Sequence, residues 1–232
     1  MESVHSAALA VLLQLVALYA LGSYALSHLG GMAYGSSGRR LIFYLFVAPG
    51  VILHETAHYL ACLATGTRVA GFAPFKPGVR PDGRIQLGYV RHARRGVLVE
   101  AFIGLAPLLL NSLGVWLVTM WLTPVNPSEL VGLGAGEMLE RLRQAFEQPL
   151  LGALWLYVAG SFALGAVPSQ EDLVGAPAAL IAGGALVLSA GALSPQPALE
   201  AARLALSGAF ALLLLPTLLA GVLAILAAVA GD

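Results

Sequence analysis

His54-Glu55-Thr56-Ala57-His58 places two imidazoles and a carboxylate within little more than one helical turn. On a helix, residues i and i+4 lie on one face. His54 and His58 can therefore offer nitrogen ligands to one metal ion at about 2.0–2.1 Å. Glu55 is rotated by roughly 100° from His54 and is placed beside such an ion rather than on it. This is the HExxH pattern of zinc-dependent hydrolysis. Zinc lowers the pKa of a water toward about 7. Glu55 can take that proton as the oxygen attacks a carbonyl, and can then hand it to the leaving amine. The three polar residues fall inside an apolar run, where ionisable groups are costly enough to need a partner or a task.

A catalytic zinc site needs a third protein ligand and one open position. Asp172, which leads into an apolar run, is the preferred third ligand, with Glu171 and Glu100 as alternatives. Glu100 also reads as an ion-pair partner for Arg94 or Arg95, and Glu171 as a solvated turn residue. His5, His28 and His92 read as interfacial residues. The single cysteine, Cys62, excludes an internal disulfide and a cysteine-based metal site.

The elements that must position these groups are membrane helices. Of 232 residues, 59% are hydrophobic and 10% charged, against about 25% charged in soluble domains. The expected fold is an all-α polytopic membrane protein in one domain, with about six transmembrane helices. The spans read as 7–28, 41–64, 97–122, 149–167, 173–192 and 204–230, each near the ~20 residues a bilayer requires. Residues 29–38 read as a flexible connector, 125–148 as a short amphipathic surface helix after Pro127-Ser128-Glu129, and 193–202 as a turn. Pro168–Asp172 reads as either a tight turn or an unwound stretch in a broken helix. Pro49-Gly50 is expected to kink the second span and open a water path. The net charge of zero gives no hint of a nucleic-acid partner.

Residues 66–96 differ from the rest in holding seven of the twelve basic residues. Strand-forming stretches at 67–72 and 84–90 flank Pro81-Asp82-Gly83, which predicts a membrane-associated β-hairpin over about 67–90. Positive-inside bias places this basic loop in the cytoplasm, and six spans then put both termini there too. The expected setting is an integral, multi-pass protein of the plasma membrane. His54 would lie on the order of 15 Å deep, on the same side as Asp172.

These features resemble the site-2 protease family of intramembrane zinc metalloproteases. The resemblance rests on His54–His58 in the second span, the hairpin segment that follows, and Pro168-Ser169-Gln170-Glu171-Asp172, similar to the family's Pro-x-x-x-Asp-Gly element. Gly104-Leu105-Ala106-Pro107 through Asn111 resembles its third-span stretch. The resemblance covers about residues 41–180 and implies one Zn2+ per chain, held by His54, His58 and Asp172. It implies a transmembrane protein as substrate, cut within the lipid bilayer in regulated intramembrane proteolysis. The chain departs from the pattern at Leu173, where glycine is expected, and at Leu164, where the family's substrate-holding asparagine would fall. Asn111 or Ser169 is the candidate replacement. The hairpin offers a strand edge to an unwound substrate, with Gly71 and Gly88 allowing close backbone approach.

Three other readings compete. One is a different HExxH membrane protease with Glu100 as third ligand. Another is a metal transporter, disfavoured because spans one, five and six are almost free of ionisable residues. The last is a non-proteolytic scaffold binding metal or transmembrane helices, disfavoured because binding does not need Glu55.

Overall fold

A computed structural model describes residues 4–81, 83–175 and 195–230. Helix α1 (Val4–Gly31) leads through a 3-10 turn (Met32–Tyr34) into α2 (Ser37–Ala64). Four short strands follow: β1 (Val69–Ala73), β2 (Gly78–Val79), β3 (Ile85–Gln86) and β4 (Tyr89–His92). Then come α3 (Val97–Leu122), α4 (Ala135–Arg143), α5 (Pro149–Gly165) and, beyond a 3-10 turn at Asp172–Gly175, α6 (Pro195–Ala230).

Helices dominate because a backbone in hydrocarbon must satisfy its own N–H and C=O groups. Helices α1, α2, α3 and α6 are long and apolar enough to cross a membrane. The α4–α5 pair, bent by 114°, makes a fifth if taken as one span. Helix α5 has 17 residues, the lower end of what spans a bilayer. The described residues thus carry four or five of the six expected spans. Residues 176–194, most of the span expected at 173–192, lie outside them. Leu12, Leu13 and Val16 on α1 and Ile225 and Val229 on α6 face outward, an apolar periphery that suits lipid.

Several connections differ from the expected ones. Residues 29–38 are a structured corner, with α1 running to Gly31 and Ala33 buried against Phe43 and Val47. Residues 195–202 are the first turns of α6 and not a turn region. Pro195 and Pro197 fit there because the first N–H groups of a helix have no intrahelical acceptor. The segment 125–148 is not one helix. Pro127–Leu130 forms its own 3-10 turn, capped by the Asn126 side chain, before α4 begins at Ala135.

Helices α2, α3 and α5 pack on one another, while α1 lies along α6 behind them. Leu18, Leu108, Val167, Leu213 and Ala220 tie the two groups together. Contacts between the inner helices are made through small residues. A Cβ at Gly50 of α2 would fall on the Ser161 carbonyl of α5, and the Gly50 N–H donates to Ser161 Oγ at 2.8 Å. Helix α2 runs unbroken through Pro49. The carbonyl that Pro49 leaves without a donor, that of Leu45, accepts the Tyr157 hydroxyl of α5 at 2.8 Å. Pro49-Gly50 is therefore a docking point for α5. On the far side, the buried Trp155 indole donates to Thr119 Oγ1 at 2.9 Å.

The predicted hairpin is present as two stacked pairings. β1 pairs antiparallel with β4, from Val69↔His92 to Ala73↔Tyr89, with a bulge between Val69 and Gly71. β2 pairs with β3. Gly66, with φ of +63°, ends α2 in a left-handed residue, a common helix stop. The Thr67 N–H then donates back to the Cys62 carbonyl at 2.8 Å. This turn sends the chain back along α2, where Phe72 stacks on Tyr59 at a 4.6 Å centroid distance. Ile85 and Leu87 pack on the α1–α2 corner, and the Tyr34 hydroxyl donates to the Gly83 carbonyl at 2.6 Å.

Gly50→Ala forces α2 away from α5. Overpacking of this kind costs about 1–3 kcal/mol, and the melting temperature in detergent should fall by about 2–4 °C per kcal/mol. Unchanged melting would show that the α2–α5 contact can relax without cost.

Candidate metal centre

His54 and His58 sit on one face of α2, and Asp172 begins the 3-10 turn after α5. The packing of α2, α3 and α5 brings them together, with one ligand atom from each within 4.8 Å of the others. His54 Nε2 and His58 Nε2 are 3.2 Å apart. Asp172 Oδ2 lies 3.5 Å from His54 Nε2, and Oδ1 lies 3.0 Å from His58 Nε2. Ligands at about 2.0–2.1 Å on a tetrahedral ion are separated by about 3.3–3.4 Å. The two Nε2 atoms lie near that separation, and each faces a different carboxylate oxygen of Asp172, so the three residues together can hold a metal ion.

The hydrogen bonds behind the ligands support the same reading. His54 Nδ1–H donates to the Gly165 carbonyl at 2.8 Å, and His58 Nδ1–H donates to the Ile103 carbonyl at 2.9 Å. A carbonyl can only accept, so each Nδ1 carries its proton, and in the neutral form of each ring Nε2 turns a bare lone pair toward the other. Two such lone pairs at 3.2 Å, with a carboxylate oxygen beside them, repel unless a cation stands between them. Ligating histidines characteristically have this arrangement, with the distal N–H held by a backbone or carboxylate oxygen.

Asp172 is the only buried charged residue among the described residues, at 8% exposure. It is fixed on its chain side by a reciprocal pair of bonds. The Ser169 N–H donates to Asp172 Oδ2 at 2.7 Å, and the Asp172 N–H donates to Ser169 Oγ at 3.2 Å. This is a capping box, and the Ser-x-x-Asp spacing that encodes it is visible in the sequence. Ser169 thus orients the aspartate. A Cβ at Gly104 of α3 would fall on the Asp172 carbonyl, so only glycine lets this turn lie so close to α3.

Glu55 stands off the ligand set, as the spacing predicts. It borders two adjoining cavities that share His54, Glu55, Gln86 and Gly88 in their walls. The larger, about 450 Å³, runs among Leu26, Val47, Val51 and Leu164. The smaller, about 290 Å³, reaches His58 and Asp172 and opens toward Arg91 and His92 of β4. The hairpin therefore roofs the site. A Cβ at Gly88 would lie 2.7 Å from Glu55 Cγ and 2.9 Å from the Ala73 and Pro74 carbonyls.

The remaining predicted residues fall elsewhere. Glu100 borders the smaller cavity but lies outside the ligand group, its Oε1 accepting the Arg95 backbone N–H at 2.7 Å. Glu171 is exposed on the cavity wall and is likewise outside the group. Asn111 is fully buried and borders neither of the two cavities. Its amide donates to the Pro107 carbonyl at 3.1 Å, and its Oδ1 lies 2.5 Å from where a Cβ at Gly165 would stand. It packs α3 on α5. Gly71 has ordinary space around it, with Tyr89 Cε2 at 3.5 Å from its Cβ position. His28 Nδ1 bonds the Tyr24 carbonyl one turn back within α1 at 3.0 Å, and His92 borders the smaller cavity outside the ligand group. The side chain of His5 lies outside the description.

The residues that sequence reasoning missed are the ones behind the ligands, Ile103 and Gly165, which act through backbone carbonyls. The chain matches no protein-family model, no curated protein and no solved structure, so the chemistry of the site rests on its own geometry.

His58→Ala and Asp172→Ala should each reduce bound metal in the purified protein from about one ion per chain to near zero. Glu100→Ala should keep it. Elemental analysis after gel filtration in metal-replete buffer decides this, and loss of metal in Glu100→Ala with retention in Asp172→Ala would overturn the ligand set.

Proposed function

We propose that this chain is a membrane-embedded zinc endopeptidase that cuts transmembrane protein substrates in or next to the bilayer. The observation that carries the reading is the convergence of His54, His58 and Asp172, with one ligand atom of each within 4.8 Å of the others and Glu55 beside them on an accessible cavity wall. Zinc, held by these three residues, would supply an acidified water and a Lewis acid for the scissile carbonyl. Glu55 accepts the proton released when the amide is attacked and returns it to the departing amine, so the carboxylate ends the cycle as it began. The carbonyl-bonded imidazoles hold their ligand atoms fixed through that cycle. The apolar arm of the larger cavity suits the side chains of an unwound membrane segment, and the hairpin roof limits the water reaching the site.

The resemblance to site-2 proteases supports this reading through the ligand spacing, the hairpin after α2 and the aspartate after α5. The orientation that goes with it puts the basic hairpin and the site on the cytoplasmic side of the membrane. A scaffold that merely binds metal or helices has no use for a carboxylate placed where Glu55 stands.

Glu55→Gln separates these readings. It should retain bound zinc and fold, yet lower peptide hydrolysis at least about a hundredfold, since a positioned general base contributes 10²–10⁴. Protein N-termini compared between cells producing the wild type and Glu55→Gln should include new termini within or beside membrane segments in the wild type only. Identical sets of termini, with both proteins zinc-loaded, would sink the protease reading.

A further inference from the structure

Helix α3 contributes no metal ligand, yet it touches two of the three. Its Ile103 carbonyl holds His58 Nδ1 at 2.9 Å, and its Gly104 admits the Asp172 turn. In an uninterrupted helix the Ile103 carbonyl would be occupied by the N–H of residue 107. Residue 107 is proline, buried inside α3, and has no N–H to give. Its ring also crowds the carbonyl four residues back and tips it away from the helix axis. The Ile103 carbonyl is therefore both vacant and turned outward, and His58 is the donor that meets it. A vacant carbonyl at this depth needs some donor, since an unmet backbone acceptor away from water is costly.

We propose that Pro107 is a positioning residue of the metal centre, acting through the Ile103 carbonyl to hold His58 with its proton on Nδ1 and its Nε2 bare. The same device occurs elsewhere in the chain. Pro49 vacates the Leu45 carbonyl, and Tyr157 of the neighbouring α5 supplies the donor at 2.8 Å. At His54 the equivalent acceptor arises without a proline four residues on. Gly165 ends α5, and the last carbonyls of a helix have no intrahelical donors. The Ser169 N–H that could otherwise have reached Gly165 is engaged by Asp172 Oδ2 at 2.7 Å. Both imidazoles thus rest on carbonyls that the helical ladder has given up, one by proline and one by helix termination.

The inference rests on the metal reading of His54, His58 and Asp172, and it can fail separately from it. Pro107→Ala gives residue 107 an N–H that draws the Ile103 carbonyl back into the helix. Zinc affinity, measured by competition with a chelator, should fall about ten- to a hundredfold, the usual loss when the partner of a ligating histidine is removed. Pro216→Ala in α6 (a proline inside a membrane helix that holds no ligand) should leave affinity within about twofold. Nitrogen NMR of the metal-free wild type should find His58 protonated at Nδ1, and Pro107→Ala should shift that ring toward the Nε2–H form. A purely structural proline would lower the melting temperature without moving the tautomer. If the wild type binds zinc and Pro107→Ala binds it equally well, the inference fails while the metal site stands. An Nε2–H tautomer in the wild type also overturns it, even if Pro107→Ala does not fold. A wild type that binds no zinc refutes the metal reading and this inference with it.

Discussion

Two imidazole lone pairs and a carboxylate within 4.8 Å of one another repel unless a positive charge stands among them. The fold around His54, His58 and Asp172 holds them in that arrangement. Proton placement at the two Nδ1 atoms removes the easy escape, in which one ring donates to the other. A metal ion held by the three residues would relieve the crowding. A proton shared by both rings and the aspartate is the competing solution, and it would leave Glu55 without a purpose at the cavity wall.

Holding the ligands there requires helices that approach more closely than ordinary side chains allow. Gly50 lies against Ser161, Gly104 against the Asp172 carbonyl, and Gly165 against both Asn111 and the Gly50 carbonyl. Small residues are the general means by which helix backbones come together in lipid, where no hydrophobic force drives one apolar helix onto another. In this chain close approach also brings backbone carbonyls within reach of histidine. The helices are packed together by the same glycines that bring α2, α3 and α5 around the site.

Spacing alone made the pair His54 and His58 readable, together with the offset of Glu55, because a helix converts sequence separation into angle. Asp172 was readable only as a preference over Glu171 and Glu100, resting on the apolar run it leads into. Its capping bond with Ser169, written in the sequence as Ser-x-x-Asp, was the missed local cue. The hairpin was legible from its turn and strand-forming stretches, but not its role as roof, which depends on Gly66 reversing the chain. Pro195 and Pro197 suggested a turn because proline both ends and begins helices, and the apolar run that follows was the deciding sign. Ile103 and Gly165 were invisible as site residues because a carbonyl has no side-chain signature. Only the proline four positions after Ile103 pointed to it.

Asp172 has two duties: its two oxygens face the two imidazoles, and Oδ2 also accepts the Ser169 N–H that closes the turn leading into it. An ion bound between α2 and this turn would act as a clasp between segments far apart in the chain, in the manner of a cross-link that closes a long loop. Occupancy and local order would then be one equilibrium: loading the site would freeze the entry to the segment after Asp172, and emptying it would let that entry loosen.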